Sequence, residues 1–176
     1  MASFKSWICF LVSLLASFSQ ASKIEANLVK LGLALPPLSL PKGNYASYVK
    51  RGNMIYLSGH LPQPSVGSLI LGRLGENMNI EEGQHAAKLA GLQLISTLKE
   101  ACGGDLDRIR KIIKITGFVN SASSFTSQPA VINGCSDLLG QVFGTDIGKH
   151  ARSAVGVNVL PLGVPVEIEA IVEVDK

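Results

Sequence analysis

The 176-residue chain has few of the residues that mark several familiar classes of protein. Its three cysteines show neither CxxC nor metal-ligand spacing, which argues against a disulfide framework and against a zinc site. Aromatic residues make up only 6%, and no long basic run interleaves with them, so a dedicated nucleic-acid surface is not expected. The GxSxG, P-loop and GxGxxG motifs are missing. The sequence therefore carries no signature of a nucleophilic-serine, phosphate-binding or dinucleotide-binding site.

The apolar content is high enough for a folded core, at 47% hydrophobic against 16% charged residues, and the net charge is a mild +3. The length suits one domain with a short extension. At the N-terminus an apolar run, Trp7 to Phe18, is too short to span a bilayer, which needs roughly 20 residues. Ser19 and Ala21 fit a cleavage site after Ala21. We expect a signal peptide over 1–21, the secretory route and a domain over 22–176; a mitochondrial presequence, although the segment has no Arg, and a cytoplasmic protein with a disordered leader are the alternatives.

Periodicity and turn residues predict a short helix, two or three strands, a helix, a strand, a second helix and two final strands. A hairpin is expected around Arg51-Gly52-Asn53, and a short third strand within 67–77. Asn79 is the expected N-cap of a long helix that ends at Cys102-Gly103-Gly104. The second helix is predicted over 127–144, with Pro129 in its first turn. This order predicts an α+β domain with both main helices on one face of a mixed sheet.

The last two strands are predicted to form a hairpin that turns about Leu162. In the final strand, Glu167 and its alternate neighbours face away from an apolar set that starts at Val166. In the preceding strand, the apolar set is expected beneath the helices and the small set on the open face, where close approach of another subunit is favoured. The apolar set consists of Ala151, Ser153, Val155, Val157 and Val159. The set on the open face consists of Arg152, Ala154, Gly156 and Asn158.

Arg152 is the main candidate for ligand binding, because its planar fork suits a carboxylate and Lys149 and His150 add to a positive spot. The residues alone leave open whether Arg152 instead forms an ion pair with a strand glutamate. Placed opposite Ile171 or Val172 in a hairpin, it would lie about 14–17 Å from Glu167. A site that uses both charges is therefore expected between subunits.

The remaining polar candidates receive structural roles. His60 is expected to line a cleft, and His85 to lie on the solvated side of the long helix. Cys102 and Cys135 are expected as buried or half-buried thiols.

The stretches "GNYASYVKRGNMIYLSGHLP", "KITGFVNSASSF" and "HARSAVGVNVLPLGVPVEIEAI" resemble the YjgF/RidA/RutC family, also called endoribonuclease L-PSP, in its branch with the "LxxLGLxLP…GNY" opening. The resemblance implies a chorismate-mutase-like fold and a homotrimer with clefts at the subunit interfaces. It also implies cofactor-free deamination of reactive 2-imino and 2-enamino acids to 2-keto acids and ammonia. A non-catalytic trimer that binds a small carboxylate or a partner protein is the alternative. The ribonuclease that the older name implies is disfavoured, since no paired histidines or strong basic groove are evident.

By position in these motifs, the resemblance assigns Arg152 to the substrate carboxylate and Glu167 to the attacking water. Tyr45 matches a tyrosine that lines the cleft from the neighbouring subunit, and Gly59 matches a backbone contact after the strand. Two positions depart from the family pattern. Ala154 stands where a cysteine is frequent, and the family's helix asparagine corresponds either to Asn133 or, by helix register, to Ser136.

Overall fold

Three helices and five strands follow one another along residues 22–175, the part of the chain that this computed structural model describes. The expected signal peptide over 1–21 lies outside these residues. Within 22–175, no helix combines the length and apolar character that crossing a bilayer requires. The elements are α1 (Lys23–Lys30), β1 (Tyr48–Arg51), β2 (Met54–His60), α2 (Ile80–Ala101), β3 (Ile109–Asn120), α3 (Gln128–Gly148), β4 (Ala151–Val157) and β5 (Val166–Val174), with 3₁₀ turns at Leu106–Arg108 and Pro161–Gly163.

The strands form one sheet in the order β1-β2-β5-β3-β4. All neighbours are antiparallel except β3 and β4, which run parallel. The predicted terminal hairpin is therefore wrong, because β3 lies between β4 and β5. The reason is the crossover helix: α3 carries the chain back along the sheet, so β4 emerges parallel to β3 on its outer side. β5 then takes the position between β2 and β3.

Helices α2 and α3 pack on one face of the sheet, as the sequence predicted. The alternation in β5 points its apolar set toward them, and β3 contributes three isoleucines to the same layer. The strand residues of this layer that are essentially inaccessible include Ile109, Ile112, Ile115, Val166, Ile168, Ala170 and Val172. The predicted one-sided α+β architecture is confirmed, and the other face of the sheet stays uncovered within the chain.

In β4 the predicted faces are reversed. Arg152 pairs in register with buried Ile115 and so lies on the helix side, whereas Val155 is 45% exposed on the open face. A side chain at Gly156 would come within 2.7 Å of the Gln128 amide nitrogen. The small residues of β4 therefore make room for α3 and its N-terminal loop. Because β4 is an edge strand, its apolar alternation does not report which face is buried.

The predicted short strand within 67–77 is also wrong. This segment is irregular, and its only ladder contacts in the described chain are bridges from Leu74 to Met78 and Ser121. Leu74 is fully buried, which explains the apolar pattern, whereas Gly75 takes φ 80° and interrupts an extended conformation.

The boundaries of α2 follow its capping residues. The Asn79 side chain accepts from the backbone of Glu82, and the Glu82 side chain accepts from the backbone of Asn79. This reciprocal pair satisfies two donors at the helix start. At the other end, Gly103 and Gly104 adopt positive φ and stop the helix. Both predicted ends of α2 are confirmed.

Gly134 of α3 sets how closely α2 and α3 approach. A Cβ at this position would overlap the backbone of Gln84 in α2, and the Gln84 side chain also donates to the carbonyl of Ala130. The two helices thus meet backbone to backbone at this point, which leaves no room for a side chain.

We expect Gly134→Ala to lower the free energy of unfolding by about 2 kcal/mol, since a backbone cannot move aside as a side chain can. Gly140→Ala, in the same helix with open space around its Cβ position, is the matched control and should raise it by about 0.5–1 kcal/mol. Urea denaturation measures both. Equal effects of the two substitutions would contradict the close approach at Gly134.

Candidate functional site

Arg152 is held at the edge of the sheet by two side chains of α3. Its Nη1 donates to Asn133 Oδ1 at 2.8 Å and to Ser136 Oγ at 3.0 Å. Asn133 and Ser136 are three residues apart on a helix, so they share a face. Both positions that the sequence left open for the family's helix asparagine thus contact the arginine. Among the described residues no carboxylate forms an ion pair with Arg152, so the alternative of a pair with a strand glutamate is wrong for this chain.

His150 fixes the orientation of Ser136. Its Nδ1 lies 2.6 Å from the carbonyl of Gly148, which can only accept, so we assign the proton to Nδ1. Nε2, at 3.1 Å, then accepts from the Ser136 hydroxyl, which leaves the Ser136 oxygen free to accept from Arg152. Burial lowers the pKa of His150, and the nearby Arg152 charge adds to this effect. The ring is therefore neutral near pH 7, and the expected positive spot does not include it.

The charge of Arg152 faces solvent, and its two hydrogen-bond partners are neutral. The guanidinium is exposed and lines an open concavity of α3 and the turn after it, where Asp137 and Lys149 add one acidic and one basic side chain. Since Nη1 is occupied by α3, Nε and Nη2 remain as donors for an incoming group. This arrangement suits a small anion, above all a planar carboxylate.

Glu167 and Gly59 form a second region, on the uncovered face of the sheet. A Cβ at Gly59 would overlap the carboxyl group of Glu167, so only glycine lets the carboxylate lie against the β2 backbone. A register shift between Leu57 and His60 marks this stretch as irregular. Glu167 is half-buried, and burial raises its pKa, with the charge of Glu169 as the second cause.

Tyr45 and Gly59 line one cavity at the end of β2, next to Glu167. The Tyr45 hydroxyl accepts from the backbone of Lys42 at 3.4 Å, and the side chain is 52% exposed. Within one chain, Gly59 therefore lies against Glu167 on one side and shares a cavity with Tyr45 on the other. Arg152, the fourth residue predicted for the site, is elsewhere.

The sheet register explains the separation of Arg152 from Glu167. Arg152 is in register with Ile115 and, across β3, with Ala170, whereas Glu167 is in register with Phe118. Two strand spacings and three residues put their Cα atoms roughly 14 Å apart. The side chains also project from opposite faces of the sheet. One chain by itself does not bring these two charges to a common substrate.

Among the polar residues of this region, His60 has the pKa that lies furthest from its usual value. It is 7% exposed, with Nδ1 at 2.8 Å from the carbonyl of Ser58 and Nε2 at 2.7 Å from Thr97 Oγ1. Burial lowers the pKa of His60 to about 4. The expected lining role is confirmed, since His60 lines the cavity that contains Tyr45 and Gly59. As predicted, His85 is exposed, and both Cys102 and Cys135 are buried.

Sequence reasoning missed the polar residues of α2 that face this region, namely Gln93, Ser96 and Thr97. They are 2%, 8% and 1% exposed. The available signal was three neutral polar residues inside an otherwise apolar helix stripe, a pattern that requires hydrogen-bond partners in the interior.

A family model described as "YjgF/chorismate mutase-like, putative endoribonuclease" matches residues 25–173. Protein TCP17 of Trypanosoma cruzi is 46% identical over 156 residues, which cover 89% of this chain and 97% of that protein. A "putative endoribonuclease" from Shewanella oneidensis has a crystal structure with a TM-score of 0.81 at 36% identity, covering 86% of this chain and 99% of that one. The crystal structure of E. coli TdcF with bound serine gives a TM-score of 0.54 at 27% identity, covering 81% and 94%.

We expect the stability of the chain to fall as the pH falls from about 6.5 to about 4 because of His60. In this window the unfolded chain binds a proton at residue 60 that the folded chain excludes, which removes about 3 kcal/mol. His60→Gln should flatten this part of the curve, as measured by urea unfolding at stepped pH. Exposed His85→Gln is the control and should keep the wild-type slope; a His60→Gln curve parallel to wild type would contradict the assignment.

Proposed function

The chain belongs to the YjgF/chorismate-mutase-like family, and from this premise we propose that it is a cofactor-independent hydrolase that deaminates reactive 2-imino and 2-enamino acids. The products are a 2-keto acid and ammonia. The observation that carries the proposal is the state of Arg152: an exposed guanidinium that is braced by two neutral side chains and forms no ion pair with any carboxylate of residues 22–175. A substrate carboxylate supplies the missing charge. The bound serine named for TdcF, a small amino acid on a related fold, supports small-ligand binding.

The chemistry needs few groups because the substrate is already electrophilic at C2. Arg152 fixes the carboxylate, and a water adds its oxygen to C2 while one water proton passes to Glu167. Glu167 returns that proton to the nitrogen of the tetrahedral intermediate. The remaining proton of the new C2 hydroxyl then passes through Glu167 to the nitrogen as the C2–N bond breaks with its electrons on nitrogen, so that the C2–oxygen double bond forms and ammonia leaves. An enamine enters the same path after a proton adds to C3 and one leaves the nitrogen.

We place the complete site between subunits of a homotrimer. Arg152 and Glu167 lie on opposite faces of the sheet within one chain, so a second copy is needed to bring them to one substrate. The uncovered face supports such an association, since Val49 and Tyr56 are 58% and 46% exposed there beside Ile171. Gly59 and Tyr45 then belong to the Glu167 side of each site.

The direct test generates 2-aminoacrylate or an imino acid in situ with a dehydratase or an amino-acid oxidase and measures the rate of keto-acid release. Wild type should accelerate release, and Arg152→Ala should lower kcat/KM by about 100- to 1,000-fold through the loss of two charged hydrogen bonds. Lys30→Ala, at the exposed end of α1, removes a positive charge away from the sheet and is the control that should keep full activity. Binding of 2-keto acids without acceleration of any imino acid would favour the non-catalytic alternative.

The proposed role of Glu167 predicts a pH profile. As a base it must be ionised, so kcat/KM should fall as the pH falls through its raised pKa. Glu169→Gln removes a neighbouring charge that raises that pKa, and should shift the acid limb to lower pH. Glu173→Gln, on the same strand but hydrogen-bonded to Asn53, is the control and should leave the limb in place. If the acid limb of the kcat/KM profile of Glu169→Gln stays at the wild-type pH, Glu167 is not the base.

A further inference from the structure

Three buried polar side chains of α2 each bind a different segment of the chain. Gln93 Nε2 donates to the carbonyl of Gln63 at 3.0 Å, in the loop after β2. Ser96 Oγ donates to the carbonyl of Pro36 at 2.9 Å, in the Pro-rich connection that precedes β1. Thr97 Oγ1 lies 2.7 Å from His60 Nε2 at the end of β2. One helix face thus fixes three segments around a common point.

These segments surround the cavity that also contains Tyr45 and Gly59. It has a volume of about 50 Å³, and the Pro-rich connection supplies part of its wall through Ser39, Leu40 and Pro41. Glu167 lies against the other side of Gly59. Gly59 is thus the residue that the cavity and the Glu167 carboxylate share as a neighbour. The size of the cavity admits a short side chain rather than a long or aromatic one.

The amide oxygen of Gln93 is the unusual feature of this cavity. Gln93 is 2% exposed, and its Oε1 has no hydrogen-bond donor among residues 22–175. The orientation of the amide is fixed, because the carbonyl of Gln63 can accept but not donate and so requires Nε2. A buried acceptor without a donor is unfavourable, and a ligand that brings a donor relieves it.

We propose that this cavity is the side-chain subsite of the deaminase, and that Gln93 Oε1 accepts a hydrogen bond from a short, neutral substrate side chain ending in a donor such as a carboxamide N–H. The inference rests on the proposed function and names its substrate class. A carboxylate side chain is disfavoured because it would face the lone pairs of Oε1. An ammonium side chain is disfavoured because the cavity holds Lys42 and no acidic residue among its described lining.

The test compares the 2-imino acids formed in situ from asparagine and leucine, whose side chains match in shape and differ in the donor. Wild type should favour the asparagine-derived substrate by about 10-fold or more in kcat/KM, because an unpaired buried acceptor discriminates against an apolar isostere. Gln93→Met should reduce this ratio about 10-fold. Gln84→Met, on the same helix but hydrogen-bonded to Ala130 outside the cavity, is the control and should leave the ratio unchanged.

Two results would overturn the subsite. One is a wild-type protein that accelerates both reactions without preferring the asparagine-derived substrate, an outcome that needs no variant to fold. The other is a folded Gln93→Met protein that slows both substrates equally, which would make Gln93 a structural tether only. The affinities of the two corresponding 2-keto acids, measured by calorimetry, test the subsite separately from the deaminase function. A preference that depends on Gln93, in a protein that accelerates neither imino acid, supports the subsite and removes the deaminase.

Discussion

The parallel pairing of β4 on β3 is the constraint on which the rest of the site depends. It inserts β3 between the strand that carries Arg152 and the strand that carries Glu167, and it turns the two side chains to opposite faces of the sheet. Since α3 is the crossover that makes this pairing possible, the same helix also supplies Asn133 and Ser136 to brace the arginine. Each chain thus carries the two charged groups in separate places, and the proposed function requires a second copy to unite them.

The surroundings of the two charges differ in a way that suits the proposed chemistry. Arg152 has neutral hydrogen-bond partners, and its neighbour His150 is kept uncharged by burial, so the guanidinium keeps donors that can bind a carboxylate. Glu167 is half-buried beside another glutamate, which raises its pKa and makes it a better proton acceptor than a solvated carboxylate. Gly59 makes that position possible, because any side chain there would displace the carboxyl group. The missing side chain at Gly59 and the neighbouring charge of Glu169 thus both contribute to the state of Glu167.

The sequence predicted features that depend on local physics. The N-cap at Asn79, the hairpin around Arg51-Gly52-Asn53 and the alternation in β5 are each set by residues close in the chain, and the structure confirms them. Strand pairing depends on contacts between residues far apart in the chain. The Pro161–Gly163 turn suggested a hairpin, but it connects β4 to a strand on the other side of β3. The faces of β4 were misassigned because an edge strand buries little of either side.

The candidate site was predictable only in part, for a related reason. The motif resemblance identified Arg152, Glu167, Tyr45 and Gly59, and in the structure Gly59 lies against Glu167 and shares a cavity with Tyr45. The bracing of Arg152 and the cavity at Gln93 depend on which helix faces meet, and no local pattern encodes that. Polar residues within the apolar stripe of α2 were the one available signal for the cavity.

The central claim is that one active site combines Arg152 of one chain with Glu167 of another. Arg152→Ala and Glu167→Gln, each inactive alone, should regain keto-acid release when the two proteins are unfolded together and refolded as mixed trimers. An equal mixture should reach about one quarter of wild-type activity, because one interface in four then holds both intact residues. Mixed trimers that are verified by mass spectrometry and remain as inactive as the separate variants would contradict the account.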